Sequence, residues 1–85
     1  MQINYTVRFV KQYNKFDFEL KKEIKEKIEF FKDFKNHKSL KVHKLHGAQK
    51  DRYGFSVNYK IRVVFRYLSK QEVVFLVIGD HDIYK

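Results

Sequence analysis

The spacing of apolar residues predicts a helix near the start of the chain. Residues 2–5 can form a short opening strand. Beyond them, apolar side chains recur at intervals of four and three residues, as on one face of a helix. These are Phe9, Tyr13 and Phe16. Thr6 precedes this stripe and is a candidate N-cap, because its hydroxyl can accept a hydrogen bond from a backbone N–H of the first turn.

A stronger helical pattern runs from Asp17 to about Lys35. Its apolar stripe consists of Leu20, Ile24, Ile28, Phe31 and Phe34. Asp17 can cap the first turn, and acidic residues lie early and basic residues late, which suits the helix dipole. The opposite face mixes lysine and glutamate, which is typical of a helix packed on a sheet.

The C-terminal half has the pattern of strands. In residues 53–59, aromatic and apolar side chains alternate with small or polar ones, as in a half-buried strand. Residues 61–68 follow after a tight turn, and residues 73–78 are apolar on both faces, which favours a deeply buried strand. The predicted order is β-α-α-β-β-β, an α+β fold with two helices packed on a twisted, mainly antiparallel, four-stranded sheet.

Between helix and strands, residues 37–52 lack periodicity and are predicted to form a basic connecting segment. From Lys35 to Arg52 there are six lysine and arginine residues and one acid, Asp51, which accounts for five of the nine net positive charges. The same stretch contains His37, His43 and His46. A net charge of +9 predicts an anionic partner, which is a nucleic acid, an acidic protein or an anionic surface.

Composition narrows the class further. The 85 residues contain no linker and no repeat, so residues 1–85 are predicted to form one domain, with nine Phe and six Tyr to supply its core. The absence of cysteine excludes disulfides and thiolate metal sites and fits a cytoplasmic location. No apolar run approaches the roughly 20 residues that span a bilayer, so no membrane partner is expected.

Three groups of residues are candidates for chemistry. His43 and His46 lie among lysines. Arg62 and Arg66 lie on one face of a predicted strand, and that face is expected to be open, because a buried face does not readily accept two guanidinium groups. The third group follows the most buried strand, where residues are rigidly placed yet exposed. It comprises Asp80, His81, Asp82 and Tyr84.

These side chains suit RNA cleavage without a metal or other cofactor. Histidine can take the proton of the ribose 2′-OH, whose oxygen attacks phosphorus, and can protonate the departing 5′-oxygen. The arginine fork can donate to the phosphoryl oxygens. A neighbouring carboxylate favours protonated His81 as the acid, with His43 or His46 as the base. Arg62 nearby lowers the pKa of the His81 imidazole, which the carboxylate raises. The roles of acid and base can therefore be reversed between the histidines.

Each group also has a structural interpretation. His37 and the other histidines of the basic segment can be solvated surface residues, and Tyr84 can simply pack on the sheet. The arginines can instead pair with Glu72, Asp80 or Asp82. A zinc site is conceivable, although the surrounding positive charge disfavours it; its ligands would be His43, His46 and His81. The residues alone predict a basic domain that binds nucleic acid, and they leave open whether it is a nuclease.

The run "HKSLKVHKLHGAQKDRYGFSVNYKIRVVFRY" and the later "IGDHDIYK" resemble the RelE/ParE toxin superfamily. The likeness is closest to the short YafQ-like and RelE-like toxins of toxin–antitoxin pairs and covers nearly the whole chain. Its most specific parts are His-x-Leu-x-Gly from His43 to Gly47, the strand "IRVVF", and Gly-x-His with an aromatic residue three positions on. The resemblance implies a microbial-RNase-like fold, metal-free cleavage of mRNA in the A site of the small ribosomal subunit, and an acidic antitoxin as partner.

Within this resemblance, His43 and His81 match the catalytic histidines. Arg62 matches the arginine that contacts the scissile phosphate, and Tyr84 matches the aromatic residue that orients the substrate. His46 is a neighbour that can share the phosphate contacts. The residues expected to bind RNA are Lys41, Lys44, Lys50, Arg52 and Arg66.

The chain departs from the family pattern at three positions. Relatives often have glycine where Asp51 stands and a basic residue where Ser56 stands, and Lys60 occupies roughly the place of an acidic residue in YafQ-type toxins. Two alternatives stay open, a ParE-like inhibitor of DNA gyrase that cleaves nothing and a non-catalytic RNA-binding homologue. ParE-like relatives generally lack the terminal histidine, so His81 favours the nuclease.

Overall fold

The secondary structure follows the predicted order with one strand added. The computed structural model describes residues 1–47, 51–80 and 83. Its N-terminal part consists of strand β1 (Gln2–Tyr5), helices α1 (Val7–Asn14) and α2 (Phe18–Phe31), and a 3₁₀ turn at Phe34–Asn36. The remaining strands are β2 (His43–Lys44), β3 (Tyr53–Ser56), β4 (Arg62–Ser69) and β5 (Glu72–Gly79). The predicted α+β class is confirmed.

The five strands form one sheet in the order β1-β5-β4-β3-β2. The pair β1–β5 is parallel and the other pairs are antiparallel. The predicted count of four strands is therefore wrong by one. The extra strand is β2, which arises in the expected loop, where His43 pairs with Gly54 and Lys44 with Tyr53. A strand of two residues is too short to show a period of two in the sequence.

Both predicted helix starts are confirmed. The N–H of Phe9 donates to Oγ1 of Thr6 at 3.0 Å. At the second start, the N–H of Leu20 donates to Oδ1 of Asp17 at 2.8 Å. Neither helix, nor any other in the described part of the chain, is long and apolar enough to cross a membrane.

The end of α2 differs from the prediction. The helix stops at Phe31 instead of about Lys35. Asp33 is extended, and its Oδ1 accepts a hydrogen bond from the N–H of Lys35 at 3.0 Å. An aspartate that bonds to a nearby backbone N–H offers the chain a turn in place of another helical turn. The 3₁₀ turn therefore takes over where the helical stripe in the sequence continues.

Four fully buried phenylalanines form the centre of the core, Phe31 from α2 and one from each of β3, β4 and β5. The ring of Phe31 stacks on that of Phe55 at 4.8 Å. It meets Phe65 and Phe75 edge-on at 5.1 and 5.3 Å. Each such pair contributes roughly 0.5–1.5 kcal/mol beyond the area it buries. Phe31 thus fixes α2 across three neighbouring strands.

His37 extends this core instead of facing solvent. Its side chain is 7% exposed, and its ring stacks between Phe31 at 4.4 Å and Phe34 at 4.6 Å. Its Nε2 lies 2.8 Å from the carbonyl oxygen of Phe31, to which it donates. The interpretation of His37 as a solvated surface residue is therefore wrong. The 3₁₀ turn brings the start of the basic segment back over the end of α2, which no local pattern indicates.

A bulge in β5 decides which side chains reach each face of the sheet. The pairing with β4 skips Leu76. The hydroxyl of Thr6 donates to the carbonyl oxygen of Leu76 at 2.7 Å, so that α1 secures the bulge. Phe75 and Ile78 are three positions apart, and in a regular strand they would lie on opposite faces. Because of the extra residue, both lie in the core. Gly79 consequently lies on the opposite face.

Candidate nucleic-acid interface

The face of the sheet opposite the helices carries the predicted histidine and arginines; it is called the open face below. Directly paired residues share a face, and the register places His43, Gly54 and Val64 in one row across β2, β3 and β4. Arg62 lies two positions from Val64 on β4 and pairs with Gly79 at the end of β5. Gly54, which lies between His43 and Val64 in the row, has no side chain and is buried. The sheet thus brings His43 and Arg62 to one face.

The open face is not polar throughout. Leu45 and Val64 are buried, with 8% and 1% exposure, and lie outside the main core. The N–H of Leu45 donates to the carbonyl oxygen of Arg52 at 2.9 Å, which continues the pairing of β2 and β3. Arg66 is exposed and Arg62 is half buried. The expectation of an open face therefore holds at Arg66, whereas Arg62 is partly covered and the positions of Leu45 and Val64 are buried.

Arg62 is held by the turn between β3 and β4. Its Nη1 donates to the carbonyl oxygen of Asn58 at 2.5 Å and to that of Ile61 at 3.3 Å. This turn ends β3 at Ser56 instead of at residue 59 as predicted. The guanidinium group consequently has a defined position at one end of the open face.

Arg66 makes a different contact. Its Nη1 lies 3.7 Å from Oδ2 of Asp51, and both side chains are largely exposed. Glu72, one of the partners considered from sequence, instead accepts a hydrogen bond from Nδ2 of Asn4 at 2.8 Å. An exposed ion pair contributes about 0–1 kcal/mol. A phosphate can therefore replace Asp51 beside Arg66 with little loss.

The orientation of His43 is set by a backbone carbonyl. Its Nδ1 lies 2.8 Å from the carbonyl oxygen of Lys41, a distance at which a ring N–H donates. With a proton on Nδ1, Nε2 is the basic nitrogen of the neutral ring. Lys41 has a φ of 58°, a left-handed conformation that costs a non-glycine residue about 1–2 kcal/mol. The turn before β2 stores this strain and in return presents the carbonyl that fixes the tautomer of His43.

The remaining basic candidates surround the sheet edge formed by β2. Lys44 pairs with Tyr53, which packs against the main core, so Lys44 lies on the helix-bearing side. Lys41, His46 and Arg52 are exposed beside β2 and β3. The structure therefore places His43 and Lys44 on opposite faces, although they are adjacent in the sequence.

Some predicted site residues lie outside the described part of the chain. These are Lys50, His81 and Tyr84, and also Asp82. The strand that precedes His81 in the sequence ends at Gly79, the partner of Arg62. A Cβ atom on Gly79 would lie 2.6 Å from Cγ2 of Ile83, so a side chain at position 79 would force the side chain of Ile83 to move.

The residues that the structure describes contain no group of three or more histidine, cysteine or acidic side chains placed to hold a metal ion. The zinc hypothesis required His81, which lies outside those residues.

Sequence reasoning missed Asn58, which contacts both Arg62 and helix α2. An asparagine between two strand patterns is a signal for a turn. Its bond to Glu23 spans 35 residues of sequence, so no local pattern predicts it.

No protein-family model matches the chain, and no curated protein matches its sequence. Solved structures do match, and they show that the chain has the fold of RelE-, YoeB- and YafQ-type toxins. Its TM-score with the YoeB–YefM complex from Staphylococcus aureus is 0.74, at 16% identity over 95% of this chain and 97% of that chain.

Two further toxin–antitoxin complexes have the same fold. RelBE2 from Mycobacterium tuberculosis gives a TM-score of 0.71 at 13% identity, covering 94% of this chain and 96% of that chain. DinJ–YafQ from E. coli gives 0.71 at 18% identity, covering 96% and 93%. At such identities the similarity concerns the fold.

Proposed function

We propose that the protein is the toxin of a toxin–antitoxin pair and an endoribonuclease that cleaves mRNA in the A site of the small ribosomal subunit. The observation that carries the proposal is the placement of His43 and Arg62 on one open face. They lie beside a segment that holds five of the nine net positive charges. The likeness in fold to RelE-, YoeB- and YafQ-type toxins supports the proposal.

In the proposed reaction, Nε2 of His43 takes the proton of a ribose 2′-OH, and the 2′-oxygen attacks the adjacent phosphorus. The bond from phosphorus to the 5′-oxygen breaks, and His81 gives that oxygen a proton. The products are a 2′,3′-cyclic phosphate and a free 5′-hydroxyl. Arg62 donates to the phosphoryl oxygens as their negative charge grows. Tyr84 orients the substrate, and no metal takes part.

The proposed partner is an acidic antitoxin, which keeps the protein inactive in the cytoplasm. A net charge of +9 on 85 residues is a strong attraction for an acidic segment. The three matching structures described above are complexes of toxins with antitoxins. A disordered acidic segment that folds on binding could cover a large part of so small a protein.

The test is induction of wild type and single variants, followed by measurement of growth and of cleavage of ribosome-bound mRNA. His43→Ala and His81→Ala should each lower cleavage by about 10²–10⁴-fold, as expected for a proton-transfer group. Arg62→Ala should lower it by about 10²–10³-fold. Arg8→Ala is the matched control, because it removes the same charge from an exposed position on α1.

Circular dichroism verifies that each variant is folded. Folded His43→Ala, His81→Ala and Arg62→Ala proteins that all cleave like wild type would contradict the proposal. If wild type cleaves no RNA but inhibits DNA gyrase, the ParE-like alternative replaces it. A protein that does neither yet binds RNA would support the non-catalytic alternative.

A further inference from the structure

Asn58 makes contacts that go beyond shaping a turn. Its Oδ1 accepts hydrogen bonds from the N–H groups of Lys60 at 2.8 Å and Ile61 at 2.7 Å. Its Nδ2 donates to Oε1 of Glu23 on α2 at 2.9 Å. Its carbonyl oxygen accepts from Nη1 of Arg62 at 2.5 Å. A single residue therefore links the turn, helix α2 and the arginine of the open face.

The turn alone does not require an asparagine. An aspartate would accept the same two backbone bonds, but it has no N–H to donate to Glu23. The bond to Glu23 has an ionised acceptor, and such bonds are stronger than neutral ones. It is also partly buried, where water competes less for its atoms. The amide group of Asn58 thus ties the carbonyl that holds Arg62 to a helix of the core.

We propose that Asn58 is a positioning residue for Arg62, with Glu23 as its anchor on α2. The inference rests on the proposed nuclease function, and it adds the contacts that orient the arginine. Both described bonds of the guanidinium group use Nη1. Because the group is planar, two bonds from Nη1 to separate carbonyl oxygens also restrict the direction of Nε and Nη2. These two nitrogens donate to the phosphate in the proposed complex.

Without this support, Arg62 keeps its charge, but its guanidinium group is oriented less accurately toward the phosphate. A displacement of about 1 Å at a reacting centre can lower a rate by about 10²-fold. We therefore expect Asn58→Asp and Glu23→Ala to lower kcat for RNA cleavage by about 10- to 100-fold, with little change in KM. Asn58→Asp keeps the acceptor that shapes the turn, and Glu23→Ala leaves the turn untouched.

The experiment combines kinetics with a readout that needs no RNA. In nitrogen-15 NMR spectra, the Nη1 protons of Arg62 should exchange slowly with water in wild type and rapidly in Asn58→Asp and Glu23→Ala. Glu26→Ala, which removes an exposed glutamate from the same helix, is the matched control and should change neither exchange nor kcat. Each variant is also combined with Arg62→Ala and measured under single-turnover conditions, where no further loss is expected.

The outcomes separate the two proposals. Slow exchange that persists in Asn58→Asp and Glu23→Ala would overturn the positioning role, and so would losses that multiply with that of Arg62→Ala. Rapid exchange with an unchanged kcat would also overturn it, because the aim of Arg62 would then not matter. If wild type cleaves no RNA, the nuclease proposal fails, whereas the exchange rates still decide whether Asn58 and Glu23 hold Arg62.

Discussion

Replacing His37 by alanine should destabilise the protein strongly, although His37 lies in its most basic stretch. The ring stacks on Phe31 at 4.4 Å and on Phe34 at 4.6 Å, and such pairs contribute roughly 0.5–1.5 kcal/mol each. The bond from Nε2 to the carbonyl oxygen of Phe31 contributes about 1 kcal/mol more. The free energy of unfolding should therefore fall by about 2–4 kcal/mol. His37→Phe keeps the stack and loses only the bond, so it should cost about 1–2 kcal/mol.

Urea denaturation followed by circular dichroism measures these differences, with His43→Ala as the matched control. His43 is exposed at the sheet edge, so its removal should change the free energy of unfolding by less than about 0.5 kcal/mol while most RNA cleavage is lost. His37→Ala should behave in the opposite way, with lower stability and normal cleavage at temperatures where it is folded. A stable His37→Ala protein that no longer cleaves RNA would refute the reasoning, because the ring would then act on RNA and not in the core.

Three further predictions follow from individual contacts. Asp51→Asn removes the carboxylate 3.7 Å from Arg66 and should raise the affinity for RNA at low salt by about two- to fivefold. Filter binding can measure this change. An unchanged affinity would show that Arg66 does not reach the RNA. Burial, and secondarily a neighbouring tyrosine, raises the pKa of Tyr67 above 10.0. The folded protein then keeps a proton that the unfolded chain loses, so stability falls as pH rises past about 10, and urea denaturation should show a smaller fall for Tyr67→Phe. Gly79→Ala places a Cβ 2.6 Å from Cγ2 of Ile83 and should lower the free energy of unfolding by about 1–3 kcal/mol in the same assay. The loss should be smaller when Gly79→Ala is combined with Ile83→Ala.

The helix starts could be predicted because capping is local. Thr6 and Asp17 each bond to an N–H three residues further along the chain, within reach of any sequence pattern. Asp33 acts in the same local way, but it interrupts an apolar stripe that continues to Phe34, and the stripe outweighed it in the prediction. Periodicity shows which face of an element is apolar, and it shows poorly where that element stops.

The candidate site could be predicted by residue type and not by arrangement. His43 and Arg62 were candidates because imidazole and guanidinium groups suit phosphate chemistry. Their common face depends on β2, which has two residues, and on the pairing of strands distant in sequence. The bulge at Leu76 and the anchor of Asn58 on Glu23 also depend on contacts between distant segments. Such contacts exist only once the whole sheet has formed.

The position of β5 between β1 and β4 sets the time at which the protein becomes complete. Thr6 and Leu76, which join the two ends of the fold, are 70 residues apart in the sequence. During translation, β1 and both helices emerge long before the strand that covers them, so the ribosome must release β5 before the core can close. A nascent chain interrupted before β5 contains His43 and Arg62 but lacks the strand that joins β1 to β4. The core can therefore close only after β5 has been synthesised, and we expect chains terminated before β5 not to reach this fold.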